Sequence, residues 1–487
     1  MRHNRAVLLP LLKRSRRQRA GGTSPIPSLV GLGLAVLAVV CLPLAGLSAR
    51  IEPDRPGPTS SLPWLSTRQG EIVDSTGRVV LLRGFNDDAL LQTGGAPPPP
   101  ALTGADAALI EAEGFDVVRL PISWSRLEPT RGQFSAGYLK QIVAVVNLCA
   151  QHHLYVVLDM HTEDFGVGFG GSGAPRWLSV PGVPDLTIPI LSSAWQRHLS
   201  PAVNAALTFF WLYPNWQKLY WQAWTKVAAQ FRGDSAVAGY DLYNEPHPFP
   251  VPPAIFETHL LWPFYATGIR DLAKVDPNHL FIVEGDLFGG LPTAVRPLAA
   301  RDLVYSTHLY SGSILPPSFT GNRRPLEAEL AQALGEARQL PAAYWAGELG
   351  IDHNRSDAVP WAQAELALAN RSLTGWAWWQ WNDPSGWGVR QGSGPPDTTW
   401  LQVLAQPFVR SWPGALSRLQ YQPSTRTLSA QLNGPSVGGN LLISWPASAG
   451  LPHLEGSCLA ASGPYRPASG ELALRILSSP CRLVIRG

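Results

Sequence analysis

Between residues 79 and 381, short β-rich apolar runs alternate with longer runs of helical periodicity, eight times over. The pattern predicts strands over 79–85, 116–122, 155–160, 237–243, 280–284, 304–310, 344–349 and 376–381. Helices are predicted over 105–113, 136–153, 216–231, 256–275, 326–340 and 361–371, with weaker candidates near 292 and 403. Parallel strands need a crossover between them, and a helix supplies it, so this alternation implies a parallel sheet. Eight repeats, with no glycine-rich first turn at Gly84-Phe85-Asn86, fit a closed barrel better than an open doubly wound sheet. The expected fold class is α/β, a (β/α)8 TIM barrel over 66–410. It is led in by a hairpin turned at Asp74-Ser75-Thr76-Gly77. Beyond 410 the pattern changes to short alternating runs such as 427–432, 440–445 and 472–476, which predict a small all-β sandwich over 411–487.

Polar residues interrupt the apolar strands at one end. Arg119 lies in the second, His161 follows the third, and Asn244-Glu245-Pro246 follows the fourth. His308 and Tyr310 close the sixth, Glu348 the seventh, and Trp379 the eighth. In a parallel barrel these ends converge on a single face, where catalytic groups sit. Two carboxylates facing each other there are the equipment for cleaving a glycosidic bond. One gives a proton to the departing oxygen while the other attacks the anomeric carbon. A nearby Arg holds the attacking carboxylate ionised, and an Asn can bond a sugar hydroxyl. Two insertions, 163–215 and 246–263, leave strand ends on this face; the first is rich in aromatics, among them Trp177, which is expected to serve as a sugar platform. The chain has 19 Trp in all. Asp159 reads as a packing group behind the site.

These motifs resemble clan A, family 5 of the glycoside hydrolases, over residues 66–487. Arg119, His161, Asn244-Glu245-Pro246, His308, Tyr310, Glu348 and Trp379 fall where the family pattern has them. Trp379 is preferred to Trp381 on the Gly-Trp-x-x-Trp spacing. Leu82-Arg83-Gly84-Phe85-Asn86, Asp159-Met160-His161, Gly173-Ala174-Pro175-Arg176-Trp177 and the C-terminal β-domain are similar to the endoglycoceramidase branch. The resemblance implies a retaining mechanism that needs no metal or organic cofactor, with Glu245 as acid/base and Glu348 as nucleophile. It also implies a glycolipid or oligosaccharide substrate. The branch has an Asp two residues after the His, where this chain has Glu163 and then Asp164, a departure that bears on the sugar accepted. A β-glucan or mannan hydrolase, and an inactive sugar-binding barrel, are the alternatives.

The amino end carries a different message. Residues 1–28 hold seven basic side chains (Arg2, Arg5, Lys13, Arg14, Arg16, Arg17, Arg19) and no acid. Residues 29–49 form an uncharged apolar run of 21, long enough to cross a bilayer. Basic residues on its amino side predict a cytoplasmic N-terminus and an extracytoplasmic body, membrane-anchored, or secreted if the run is a cleaved signal. A proline-rich linker over 50–65 follows. The formal charge of +3 therefore averages two objects, because beyond the tail 31 basic residues face 35 acidic ones. Nothing in that balance calls for a nucleic-acid partner. Of the four cysteines, Cys458 and Cys481 are expected to pair under oxidising conditions, and Cys149 to lie in the core. No Cys/His spacing matches a metal site.

Overall fold

The computed structural model describes residues 62–91, 99–186, 197–248, 250–287, 294–314, 318–434 and 437–487. The basic tail, the apolar run over 29–49, nearly all of the linker and the weak helix near 292 lie outside these residues. No helix among the described residues is long and apolar enough to cross a membrane.

Eight parallel strands close into a barrel. They are β1 (Arg83–Asn86), β2 (Val117–Ile122), β3 (Tyr155–Met160), β4 (Val237–Asp241), β5 (Leu280–Glu284), β6 (Leu303–Leu309), β7 (Ala343–Leu349) and β8 (Gly375–Trp378). Closure comes where β8 pairs with β1, Trp376 opposite Arg83. All six residues of β2 and of β3 are buried, as expected when helices cover one face and the barrel interior the other. Adjacent backbones approach so closely at Gly84 that a Cβ there would sit 1.7 Å from the carbonyl oxygen of Val117. Only glycine fits that crossing.

The predicted strand over 79–85 is two strands. Val79–Val80 pairs in an outer antiparallel sheet, whereas Arg83–Asn86 enters the barrel. The hairpin is also longer than predicted, because Leu65–Arg68 pairs with Glu71–Asp74 through a turn at Gln69 and Gly70, both at positive φ. Its side chains alternate between two cores with the period of two of a strand. Leu65, Ile72 and Val80 pack with Val117, Val157, Ile282 and Val304 inside the barrel. Val73, Val79 and Leu81 pack instead with Phe408, Trp412, Ile443 and Leu474. The hairpin thus joins the barrel to the C-terminal strands.

Those strands form two antiparallel sheets, one of seven strands that includes the hairpin and one of four. Their buried residues belong to one apolar cluster. Cys458 and Cys481 are bonded across a separation of 23 residues, with Cα atoms 5.5 Å apart. Cys458 precedes the strand Leu459–Ala461 of the larger sheet and Cys481 opens a strand of the smaller, so the bond ties the two together. A closed loop of this length is worth about 3 kcal/mol through the entropy of the unfolded chain. Cys481→Ser is expected to lower unfolding stability by that amount, measured by denaturant titration. In reductant, wild type should fall to the level of the variant. Cys149 is buried and unbonded in the core, as expected.

Candidate active site

The polar strand ends meet around one buried guanidinium. Arg119 of β2 is fully buried, and Oδ2 of Asp241 on β4 accepts its Nε at 2.9 Å. Nη1 donates to Glu348 Oε1 on β7 at 2.7 Å and to Asn86 Oδ1 on β1 at 3.1 Å. Nη2 donates to Asn244 Oδ1 at 2.9 Å, with Asp159 on β3 at 3.2 Å and Glu284 on β5 at 3.3 Å. So many carboxyl groups around one guanidinium cannot all stay charged. Burial, then the neighbouring Glu284, pushes Asp241 well above the usual carboxylate range.

Beside the guanidinium a further carboxyl, Glu245, faces Glu348 with an imidazole between them. His308 Nδ1 lies 2.8 Å from Glu245 Oε1 and 3.3 Å from Glu348 Oε2, and the Tyr310 hydroxyl donates to Glu348 Oε2 at 2.9 Å. Ligand-type atoms of Glu245, His308 and Glu348 lie within 4.8 Å of one another. Such a trio can hold a cation; here Arg119 and Tyr310 bond the two oxygens of Glu348, and His308 bonds one oxygen of Glu245. The arrangement therefore suits sharing a proton.

The electrostatics say where that proton rests. Burial opposes charge on Glu245, but the hydrogen bond and charge of His308, with His161 and His198 nearby, outweigh it and hold the carboxyl at about 2. Burial likewise opposes charge on His308, yet Glu284 and Glu348 drive it well above the ordinary imidazole value. The proton of the pair thus sits on the imidazole, one hydrogen bond from Glu245. For Glu348, burial raises the pKa, and His308 and Arg119 work against that rise.

The mouth is lined by His161, which bonds Asp159 Oδ2 through Nδ1 at 2.8 Å and stacks on Trp379, centroids 5.5 Å apart. Trp381 is buried against Phe85. A small pocket lined by Glu245, Glu284, Asp286, Thr307 and His308 opens beside the two side chains of this pair.

The sequence matches the family model for cellulases, glycosyl hydrolase family 5, over residues 73–385. The chain belongs to glycosyl hydrolase family 5. Endoglycoceramidase I of Rhodococcus hoagii (strain 103S) is 30% identical over 214 residues, 39% of this chain and 38% of that relative. An endoglycoceramidase of Cyanea nozakii is 26% identical over 294 residues, 51% of this chain and 56% of that relative. The chain therefore spans less than two thirds of the length of these curated relatives. Among solved structures, endo-glycoceramidase II from Rhodococcus sp., in its lactosyl-enzyme intermediate, superposes with a TM-score of 0.72 at 25% identity. That match covers 85% of this chain and 98% of that one. An endogalactoceramidase superposes with a TM-score of 0.75 at 27% identity, covering 87% and 100%.

In this family 5 barrel, Arg119, Asn244, Glu245, His308, Tyr310 and Glu348 form one bonded cluster, with His161 and Trp379 at its edge. Asn244 is held at both ends of its amide, since Nδ2 donates to the carbonyl of Thr162 at 2.9 Å. Glu163 stays exposed, whereas Asp164 turns to His198 and Arg197. Glu163 is therefore the residue of this pair left open to solvent. Trp177 is half-buried; its indole N–H donates to the carbonyl of Glu128 at 3.0 Å and its ring meets Trp124 edge-on, so these contacts anchor it in the wall of the insertion. Much of the aromatic insertion is anchored likewise, with Phe210 and Trp211 buried against Tyr243 and Phe264.

Four members of the cluster were not expected from the sequence: Asn86, Asp159, Asp241 and Glu284. Asp159 is two residues before His161, hence on the same face of its strand. Reading it as a packing group overlooks that period.

Proposed function

We propose that the protein is a retaining β-glycosidase acting on a glycolipid, with Glu348 as nucleophile and Glu245 as acid/base. The observation that carries this reading is the meeting of the two carboxyls at one imidazole nitrogen, His308 Nδ1, which leaves one oxygen of each within 4.8 Å of the other and no gap for a water between them on that side. Retaining enzymes keep their carboxyls about 5–5.5 Å apart, whereas inverting ones leave about 6.5–9.5 Å for a water. In the first half-reaction Glu348 bonds the anomeric carbon as the bond to the departing oxygen breaks, and Glu245 supplies that oxygen with a proton. In the second, Glu245 takes a proton from water, the hydroxyl attacks the same carbon, and Glu348 is released. Arg119 and Tyr310 hold the nucleophile oriented between turnovers. His308 keeps the proton that Glu245 needs. Asn244, His161, Glu163 and Trp379 are read as sugar contacts.

A glycolipid is favoured by the similarity to endoglycoceramidases over most of the fold. Exposed Phe209, Leu212, Tyr213 and Ile255 on the two insertions add apolar surface suited to an amphiphile. The two C-terminal sheets are read as a sandwich beneath the barrel. The apolar run over 29–49 is read as an anchor or signal that leaves the body outside the cytoplasm, in keeping with a disulfide. The test incubates purified protein with glucosylceramide, galactosylceramide, lactosylceramide, soluble β-glucan and mannan, and identifies the products. Release of sugar and intact ceramide is expected; cleavage of the polysaccharides alone would overturn the substrate reading.

The proton on the His308–Glu245 pair sets the alkaline limb of the pH profile. Activity needs that proton and is lost as pH rises through the apparent pKa of the pair. His308→Asn removes the cation that holds Glu245 down, so the carboxyl rises and takes up the proton itself; the alkaline limb then reports this carboxyl instead of the raised imidazole and should move down, read from kcat/KM against pH.

A further inference from the structure

We propose that Glu284 is the positioning residue of the acid/base, with one oxygen fixing the main chain of Glu245 and the other backing His308. This inference rests on the assignment of Glu245 above. Glu284 ends β5 and is 3% exposed. Its Oε2 accepts the backbone N–H of Glu245 at 2.9 Å, and its Oε1 lies 3.3 Å from His308 Nε2. Glu245 has a φ of +45°, a left-handed conformation that a residue with a side chain keeps only where its surroundings impose it. The grip on its N–H is such a constraint. It fixes where the side chain departs from the main chain.

The second contact controls the partner. His308 meets Glu245 through Nδ1, and the Glu284 carboxylate 3.3 Å from its other nitrogen favours the charged ring from behind. Both oxygens of Glu284 therefore act on the same catalytic carboxyl by different routes. Glu284 also lies 3.3 Å from Arg119, so a plain role as counter-ion is the competing account. The two accounts predict different chemistry. A counter-ion acts through Arg119 on Glu348, and bond formation at Glu348 is needed for every substrate. A positioning residue for Glu245 matters in proportion to how much the leaving group needs a proton. The charged or titratable groups facing His308 are Glu245 and Asp241 from the β4 end, Glu284 from β5, Glu348 from β7, Arg119 from β2 across Gly347, and Tyr310 just beyond its own strand.

The experiment compares dinitrophenyl and phenyl β-lactosides with the full chain, a choice guided by the lactosyl-enzyme structure of the similar enzyme. Glu284→Gln is expected to lower kcat/KM about 100-fold on the phenyl glycoside and less than about fivefold on the dinitrophenyl one. Removing a negative charge behind His308 makes its proton easier to lose. The alkaline limb should therefore move down by about one pH unit. Glu284→Asp keeps the charge but shortens the reach, so the limb should stay in place while the loss remains dependent on leaving group. If Glu284→Gln does not fold, as read by thermal melting, Glu284→Asp carries the comparison. Equal losses on both substrates with an unshifted limb would overturn the proposal in favour of a counter-ion. Glu245→Ala with added azide runs beside it. Failure of azide to restore dinitrophenyl lactoside turnover would overturn the role of Glu245 itself, a separate outcome.

Discussion

Glu348→Gln is expected to lower kcat/KM about ten-thousand-fold or more on any glycoside the protein cleaves, equivalent to roughly 5 kcal/mol of transition-state stabilisation. The amide keeps the shape of the side chain and an oxygen that can accept from Arg119 or Tyr310, which sit 2.7 and 2.9 Å from the carboxylate. What it lacks is the nucleophile. The loss should fall on both good and poor leaving groups, because bond formation at the anomeric carbon is common to both. Melting temperature should stay close to wild type. A variant retaining activity within tenfold would remove Glu348 from the chemistry.

The second large effect belongs to Arg119. Replacing it with Met leaves Asp159, Asp241, Glu284 and Glu348 buried around an apolar chain. Breaking a buried ion cluster from one side costs about 3–5 kcal/mol, so Arg119→Met should unfold at markedly lower denaturant. Arg119→Lys separates catalysis from folding. A single ammonium keeps the charge but cannot match the fork that reaches Asn86, Asn244 and four carboxyls. A folded protein with kcat/KM reduced roughly 100-fold or more is expected. The sign of the accompanying pH shift follows from Glu348. Arg119 works against the burial that raises its pKa, so a weaker contact lets that pKa rise further. The ionised nucleophile is then lost at higher pH as the medium is acidified, and the acid limb of kcat/KM moves upward. An unchanged acid limb would mean that Arg119 does not act on the nucleophile.

The barrel was legible because burial on both faces turns each strand into an apolar run, while the intervening helices keep a period near 3.6. The polar ends were legible for six strands, through residues such as Arg119, His161 and Glu348, whose chemistry stands out. The two strands without an assigned end, β1 and β5, finish in Asn86 and Glu284, and both enter the cluster. The rule applied to all eight strands, and only the lesser prominence of these side chains hid them. Trp177 shows a different limit. An aromatic at a strand-end insertion serves equally as wall or platform, and its setting depends on a tertiary partner, the carbonyl of Glu128, that the sequence does not display. The split of 79–85 was invisible for a similar reason. Val79 and Val80 look like any barrel residues, but they belong to a sheet completed by strands more than 300 positions away, such as Phe408–Trp412.

The central claim is that Glu348 becomes covalently bonded to the sugar. Reaction with an activated 2-deoxy-2-fluoroglycoside slows release of the intermediate, and peptide mass mapping then locates it. The account predicts one added fluoroglycosyl mass on the peptide carrying Glu348. An adduct on Glu245 or Glu284, or turnover with an inverted product and no adduct, would contradict it.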